Sequence, residues 1–234
     1  MKIKYMTNEA KTLYALLMVS AGMMGAYTFN LRGGVFSNAQ TANVVMMAIA
    51  FGKGEVTKAL YYLIPISAYF LGAFISELFI LPSKKIGLLK WDTYLIAFEA
   101  IVLFGIGFIP LTWSHHIVQV IINFIASMQY NTFRKAREIP MATTFCTNHV
   151  RQIGIQMAKV IRNKDITKLK ICGVHILMII SFLFGGIVLT YSCKYLQERS
   201  IWLAIIPMTF CFFNLMITDI EDNKKEKKQQ AMAQ

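Results

Sequence analysis

Charged residues are scarce in this chain of 234 residues. Only 15% of them are Asp, Glu, Lys or Arg, whereas 56% are hydrophobic, and the mean hydropathy is +0.51. Soluble domains carry about 25% charged and about 45–50% apolar residues, so this composition argues against a soluble globular protein. It predicts a helical membrane protein with several spans, and the lipid bilayer as its first partner.

Acidic residues are the scarcer of the charged residues, with 12 Asp and Glu against 24 Lys and Arg and a net charge of +12. In a soluble protein such an excess suggests nucleic acid. Here the basic residues lie between hydrophobic segments, and neither zinc-finger spacing nor a basic patch rich in aromatics occurs. We therefore attribute the charge to orientation in the membrane and expect no nucleic-acid partner.

Cysteine is also rare, and the sequence contains no CxxC. Scattered cysteines in hydrophobic runs are typical of buried small side chains, so we expect neither a metal nor a cofactor. No nucleophile with its base, phosphate loop or HExxH pattern occurs, so the chain is not expected to be an enzyme. The four cysteines are Cys146, Cys172, Cys193 and Cys211.

A cleavable signal peptide is not expected, because no small-x-small site follows the first hydrophobic run. We predict that this run is a retained first helix. The predicted spans are residues 13–29, 59–81, 93–111, 117–133, 171–191 and 201–217.

Two further segments, residues 36–51 and 139–161, either cross the membrane or fold back within it. With eight crossings, Lys84, Lys85, Lys90 and Arg134–Arg137 fall outside. With six, these residues, both termini and the Lys224–Lys228 tail are cytoplasmic, and only a few basic residues lie outside. The positive-inside rule therefore favours six spans with cytoplasmic N- and C-termini.

Two polar stretches resemble each other. The first polar stretch is residues 33–45, GGVFSNAQTANVV, and the second is residues 143–150, TTFCTNHV. Each begins a segment that folds back, so each half of the chain has three spans and the halves must be inverted. We predict an all-α integral membrane protein with about six transmembrane helices, two shorter re-entrant or broken helices, and an inverted repeat. Residues 1–220 form one membrane domain, with pseudo-repeats of about 10–112 and 113–218, and residues 221–234 form a disordered cationic tail.

Polar side chains in these stretches are the candidate binding residues. Ser37, Asn38, Thr143 and Thr144 are N-cap types, so the half-helices should direct free N–H groups and a partial positive charge towards the membrane centre. A site for a small polar or anionic solute is one interpretation, and simple support of the re-entrant backbone is the other. The candidates are Gln40, Thr41, Asn43, Thr147, Asn148, His149 and Arg151.

Glu99 lies well inside the third predicted span. An ionisable residue there suggests proton coupling or a counter-ion for Arg151. The alternative is a structural carboxyl group that is hydrogen-bonded between helices.

The sequence also resembles a known family. The first polar stretch, the run LIPISAYFLGAFISE at residues 63–77 and NTFRKAREIPMATTFCTNHVR at residues 131–151 resemble the signature of the YoaK family. These are bacterial inner-membrane proteins grouped under a domain of unknown function. The resemblance covers roughly residues 10–218 and implies a multi-pass protein of the bacterial cytoplasmic membrane, a bundle of about six spans, and no established substrate.

Some positions depart from the family's pattern. Gly25 stands where the family typically has Asp, Ala42 and Asn148 replace glycines, and His149 replaces an Asn. The leading hypothesis is a transporter or channel for a small polar or anionic solute. The alternative is a membrane protein that does not transport but assembles with or regulates a partner. The oligomeric state is not predicted.

Overall fold

Nine α-helices and one short 3₁₀ helix account for most of the described chain. The computed structural model describes residues 7–79, 89–136 and 139–232. A two-stranded antiparallel pair, β1 (Lys135–Ala136) and β2 (Ile139–Pro140), is the described exception. The helices are α1 (Asn8–Leu31), α2 (Gln40–Gly52), α3 (Val56–Tyr61), α4 (Leu63–Phe79), α5 (Trp91–Ile106), α6 (His115–Thr132), α7 (Thr147–Asn163), α8 (Lys168–Leu196), the 3₁₀ helix (Gln197–Ala204) and α9 (Ile205–Met232). The all-α prediction is confirmed.

Glycine and proline explain where several helices end. Gly33 and Gly34 follow α1 with φ of 82° and 70°, a left-handed conformation that side chains with a Cβ rarely adopt. Pro65 and Pro207 are each the third residue of a helix, α4 and α9. A proline there is tolerated but prevents the helix from extending backwards, so α3 is separated from α4 and the 3₁₀ helix from α9.

Two helix pairs dominate the packing, and the helices of each pair run in the same direction. In the α1–α8 pair, Val19 contacts Gly185 and Asn30 donates to Thr190. In the α4–α6 pair, Ser127 donates to the Tyr69 carbonyl oxygen, and further along Asn131 donates to Ser76. Since residue numbers rise together along both helices, each pair is parallel.

The remaining contacts fix the directions of α5 and α9. Trp202 donates to the Phe104 carbonyl oxygen at one end, and Lys90 pairs with Asp219 at the other, so α5 and α9 are antiparallel. Ser20 Oγ donates to the Ala204 carbonyl oxygen, which helps to set α9 antiparallel to α1. Thus α1, α5 and α8 run one way and α4, α6 and α9 the other. We name the two ends of the bundle the Lys90 end, where α1, α5 and α8 begin, and the Arg32 end, where α1 and α5 end.

Small residues permit the close approach of both parallel pairs. A Cβ on Gly185 would lie 2.0 Å from the Val19 carbonyl oxygen, and one on Gly22 would lie 2.0 Å from the Phe182 carbonyl oxygen. A Cβ on Gly72 of α4 would lie 2.3 Å from the Phe124 carbonyl oxygen of α6. Because backbone meets backbone at these points, any larger residue would force the helices apart, as in other small-residue interfaces of membrane helices.

The start of α5 is held by a residue from α9. The buried Asp219 carboxylate accepts from the Lys90 backbone N–H at 2.9 Å and from the Thr93 hydroxyl at 2.7 Å. It therefore fixes the start of α5 by holding the N-cap residue Lys90 and Thr93 of the first turn. We expected disorder from residue 221, but α9 remains helical to Met232. Its Lys, Glu, Gln and Ala residues are good helix formers, and the Asp222–Lys90 ion pair anchors the first turn of this segment.

Among the described residues, three helices are long and apolar enough to cross a membrane: Asn8–Leu31, Val56–Leu78 and the continuous segment Lys168–Gln230. The last of these contains two predicted spans, residues 171–191 and 201–217. Helices α5 and α6, with 16 and 18 residues, cover the predicted spans 93–111 and 117–133 in part. The predicted end of the second span and Lys84, Lys85 and Arg137 lie outside the described residues.

Candidate functional site: a cavity at the start of two half-helices

The first polar stretch folds back against the middle of α1. Ser37 donates to the Thr28 hydroxyl at 2.7 Å, and Asn38 donates to the Ala21 carbonyl oxygen at 3.2 Å. A Cβ on Gly25 would lie 3.0 Å from Asn38 Nδ2. The Asn38 amide thus occupies the space beside Gly25, the position where the family resemblance implies Asp.

An amide network joins the start of α2 to α6. Gln40 donates to Asn123 Oδ1 at 2.6 Å, and Asn43 donates to Gln40 Oε1 and to the Phe36 carbonyl oxygen, both at 3.1 Å. Asn123 in turn donates to the Gln119 carbonyl oxygen. Every amide here has a partner, so this network holds the start of α2 in place against α6.

Arg32 is a residue of this region that the sequence analysis missed. Its side chain is fully buried, donates to the Ile109 and Pro110 carbonyl oxygens, and donates from Nε and Nη2 to the Tyr27 hydroxyl. The guanidinium therefore joins the end of α1 to the end of α5. The neighbouring pair Gly33-Gly34 was the available signal, because an arginine beside a tight turn in an apolar setting needs several carbonyl partners.

The second polar stretch contains a buried pair of imidazoles. His149 Nδ1 lies 2.8 Å from His175 Nδ1 of α8, and His149 Nε2 lies 2.7 Å from the Ala142 carbonyl oxygen. Because a carbonyl oxygen only accepts, His149 carries its hydrogen on Nε2, and its Nδ1 accepts from the Nδ1–H of His175. His175 Nε2 is then a buried lone pair, and it has no partner among the described residues.

Other polar atoms of this stretch are also unpaired. Thr143 Oγ1 and Gln129 Oε1 are buried without a partner among the described residues, although the Gln129 amide nitrogen donates to the Thr143 carbonyl oxygen. Thr144 Oγ1 is likewise buried and has no partner of normal geometry among the described residues, and the Tyr69 hydroxyl lies close to it. Buried unpaired polar atoms are uncommon in folded proteins and here mark a place where another polar group can bind.

The ends of the two polar stretches meet in one cavity of about 740 Å³. Its walls are α1 and α8, and its inner end is formed by Asn38 and Ala39 from the first polar stretch and by Thr144 and Thr147 from the second. Most of the surface is apolar. The aliphatic and aromatic side chains are those of Phe29, Phe36, Phe145, Phe182, Leu183, Ile187 and Tyr191.

Both half-helices begin at this cavity without a side-chain cap. We predicted capping by Ser37 or Asn38 and by Thr143 or Thr144, and this is wrong. The N-cap residues are Ala39 for α2 and Cys146 for α7, and neither makes a side-chain hydrogen bond. Ser37 and Asn38 instead bond to α1, so the first N–H groups of both helices remain available at the inner end of the cavity.

Of the seven candidate binding residues, Thr147 lines the cavity. Gln40, Asn43 and His149 are engaged in the two networks described above. Thr41 is exposed. Arg151 is exposed too, and it donates to Asn148 Oδ1 one helical turn earlier. Asn38 and Thr144, which we had read only as caps, are cavity residues.

Glu99 lies away from this cavity, on the face of α5 that packs against α9. Its side chain is fully buried, and both carboxyl oxygens lack a partner among the described residues. Cys211 of α9 lies within electrostatic range of it. No ion pair joins Glu99 to Arg151 in the described part of the chain.

A family model described as "Protein of unknown function (DUF1275)" matches residues 13–214. The chain belongs to this family. YoaK-like proteins belong to it as well, which agrees with the resemblance of the polar stretches. No curated protein and no solved structure matches the chain.

Proposed function

We propose that this DUF1275 protein is a YoaK-like transporter of the bacterial cytoplasmic membrane. It has six spans arranged as an inverted repeat and cytoplasmic termini, and it carries a small solute, without catalysis, through the cavity where its two half-helices begin. The observation that carries the proposal is that this one cavity is lined by the starts of both α2 and α7. Half-helices that begin near the membrane centre at a substrate site are a recurring plan of secondary transporters.

Helix directions support six spans. Crossings at α1, α4, α5, α6, α8 and α9 must alternate in direction along the chain, and the residue pairs between these helices alternate in that way. Asn38 reaches the middle of α1 and Gln40 the middle of α6, so α2 starts near the centre and returns to the Arg32 end. Helix α7 starts at the same cavity and ends before α8 begins at the Lys90 end.

The two parallel pairs support the inverted repeat. In the proposed repeat, α1 of the first half corresponds to α6 of the second half, and α4 corresponds to α8. The α1–α8 pair therefore corresponds to the α6–α4 pair. Both pairs are parallel, and both are closest at a glycine, Gly185 in one and Gly72 in the other. The partner carbonyls belong to Val19 and Phe124. The resemblance of the two polar stretches first suggested the repeat, and the loose match between residues 70–73 and residues 182–186, around these two glycines, adds to it.

Basic residues support the orientation. Lys11, Lys90, Arg134, Lys170 and the lysines of the C-terminal segment lie at the Lys90 end, whereas few basic residues lie at the other end. The positive-inside rule then assigns the Lys90 end to the cytoplasm.

Thiol labelling of single-cysteine variants tests this topology. With six spans, Lys53→Cys and Ser114→Cys react with an impermeant reagent added to intact cells, and Arg134→Cys and Lys225→Cys do not. If α2 and α7 crossed the membrane, Lys53 and Ser114 would both be cytoplasmic and Arg134 external. Labelling at position 134 together with protection at position 114 would therefore refute the proposed fold.

Uptake into proteoliposomes tests transport itself. We expect accumulation of at least one small anionic solute from a broad panel, and its loss in Gly185→Leu, which separates α1 from α8. Glu99→Gln separates the two roles of that carboxyl group. Loss of pH-dependent uptake in a folded variant indicates proton coupling, whereas unchanged uptake indicates a structural group.

One observation favours the partner-binding alternative. The last part of α9 is an exposed helix that carries Lys224, Lys225, Lys227 and Lys228. A cationic helix of this kind suits an acidic partner or an anionic lipid surface. Deletion of residues 223–234 distinguishes the two functions, because it should leave uptake intact if transport is the function.

A further inference from the structure

We propose that the cavity between α1 and α8 binds an amphipathic organic anion, a single carboxylate attached to an aromatic or aliphatic body. This inference rests on the proposed function, because it names the solute class of the same site. The sequence predicts a small polar or anionic solute, but the walls of the cavity are predominantly apolar. The apolar walls call for a ligand that is itself mostly apolar.

The volume suits a small organic molecule. Ligand sites commonly enclose about 300–1,000 Å³ and combine apolar walls with a few placed polar groups, and this cavity of about 740 Å³ falls within that range. Phe36 and Phe145 come from the two different halves of the chain, and Phe182 comes from α8. Aromatic faces from three segments can therefore surround one apolar body.

The electrostatics of the cavity favour an anion. Lys194 is the one charged residue among the described residues that line it, and no Asp or Glu is among them. At the inner end, the uncapped starts of α2 and α7 direct N–H groups and the positive ends of two helix dipoles towards the ligand. Lys194 and the two helix starts are thus all positive, and they attract an anion.

An unpaired hydroxyl group supplies a second, independent indication of a ligand. Thr144 is among the residues that line the cavity, and its buried hydroxyl oxygen has no hydrogen-bond partner of normal geometry in the described chain, although the Tyr69 hydroxyl lies close to it. A carboxylate oxygen is an acceptor for this hydroxyl as well as for the free N–H groups of α7. Helix dipoles alone would not identify a site, but this buried donor lies beside them.

The position of Lys194 sets a second contact point. Gly186 packs near Gly22 in the middle of the bundle, and Lys194 follows it by eight residues on α8, about 12 Å along the helix. The cavity therefore extends from the half-helix starts towards the Arg32 end, where the exposed ammonium group of Lys194 stands. A carboxylate can enter past Lys194 and settle at the inner end.

Protection of Cys146 from alkylation measures binding directly. Cys146 lines the cavity and is half-buried, whereas Cys172, Cys193 and Cys211 are buried. In purified full-length protein, we expect 2-naphthoate to slow alkylation of Cys146. Its uncharged analogue 2-naphthalenemethanol, and glutamate, which lacks an apolar body, should have little effect.

Two pairs of variants test the role of charge. Ala26→Asp places a carboxylate in the wall and should abolish protection, whereas Ala26→Asn has the same shape without charge and should retain it. Lys194→Gln should weaken binding about two- to fivefold, as expected for an exposed ion pair, and Lys194→Arg should restore it. Equal loss in Ala26→Asp and Ala26→Asn would show that charge does not decide binding.

Several results would overturn the proposal. Equal protection by 2-naphthalenemethanol would show an apolar pocket that does not recognise anions, and protection by glutamate would show a polar site. Protection by phosphatidylglycerol micelles, with none by 2-naphthoate, would assign the cavity to a lipid. Naphthoate binding without any uptake would refute the transport function but support the anion site. Uptake of a polar solute without naphthoate protection would support transport but refute the proposed ligand class.

Discussion

The two polar stretches both reach the cavity where α2 and α7 begin, but they differ in how completely their polar atoms are paired. In the first, Ser37, Asn38, Gln40 and Asn43 all have partners, and none of these side chains titrates. In the second, Thr143 and Thr144 have unpaired hydroxyl groups beside a buried imidazole pair. The first stretch therefore acts as a fixed support, and the second retains the unused hydrogen-bonding capacity that a ligand requires.

The helices that follow the two stretches, α2 and α7, also differ in the polarity of their exposed sides. Helix α2 continues with exposed apolar residues such as Val44, Val45 and Ile49, whereas α7 carries Arg151 and Arg162 on its exposed side. An apolar half-helix can face lipid, but a basic one must face protein, water or headgroups. The asymmetry suggests that the repeat has one structural half and one half that handles the solute.

The largest difference is expected between the two arginines that flank the stretches, Arg32 just before the first and Arg151 just after the second. Arg32→Ala leaves the Ile109 and Pro110 carbonyl oxygens and the Tyr27 hydroxyl without their donor, and we expect it to destabilise the fold by about 3 kcal/mol or more. Arg151→Ala is the matched control, because Arg151 is exposed and bonds only to its neighbour Asn148 among the described residues. Thermal unfolding in detergent measures both, and equal losses would contradict the comparison.

A smaller difference in stability is expected between variants of Gln40, the first residue of α2, and variants of Thr143, which precedes α7. Gln40→Ala removes the donor to Asn123 Oδ1 and one of the two acceptors of the Asn43 amide, and it should cost about 1–3 kcal/mol. Thr143→Val removes a hydroxyl group that has no partner in the described chain, so it should be nearly neutral in the absence of ligand. A Thr143→Val variant that loses as much stability as Gln40→Ala would show that the second stretch is as fully paired as the first.

The smallest effect concerns the imidazole pair. Asparagine can supply a donor at the position of Nδ1 but has no group at Nε2, so His175→Asn keeps the hydrogen bond to His149 and removes only the unpaired atom. We expect His175→Asn to lower the free energy of unfolding by about 1 kcal/mol less than His175→Gln, whose amide lies at the position of Nε2 instead of Nδ1. The nitrogen NMR spectrum should show hydrogen on Nδ1 of His175 and on Nε2 of His149 in the neutral state. The opposite order of stability, or the opposite tautomers, would refute the assigned pairing.

Composition and periodicity were sufficient to predict the helices and the position of the two polar stretches. The match between residues 70–73 and 182–186 was also informative, because both runs contain a glycine at a point where two backbones touch. These features depend on local sequence and on a repeated constraint, so they can be read from the chain alone.

Side-chain partners could not be predicted in the same way. The His149–His175 pair joins α7 to α8, and Asp219 holds the start of α5 from 126 residues away along the chain. Asn38 and Thr144 were interpreted as caps because the local pattern fits that role, but the packing of α1 and α8 places both at the cavity. The mostly apolar walls were likewise missed, since they come from four segments that no local pattern connects.

Crosslinking tests most directly whether the two stretches meet at one cavity. In a variant whose Cys172, Cys193 and Cys211 are replaced by alanine, Ala39→Cys and the native Cys146 should be joined rapidly by a short bifunctional methanethiosulfonate. Phe51→Cys, at the far end of α2 and about 18 Å from residue 39, is the matched control and should not be joined to Cys146. Efficient crosslinking at position 39, suppressed by 2-naphthoate, is the result that we predict. Crosslinking at position 51 with none at position 39 would show that the two half-helices do not begin at a common site.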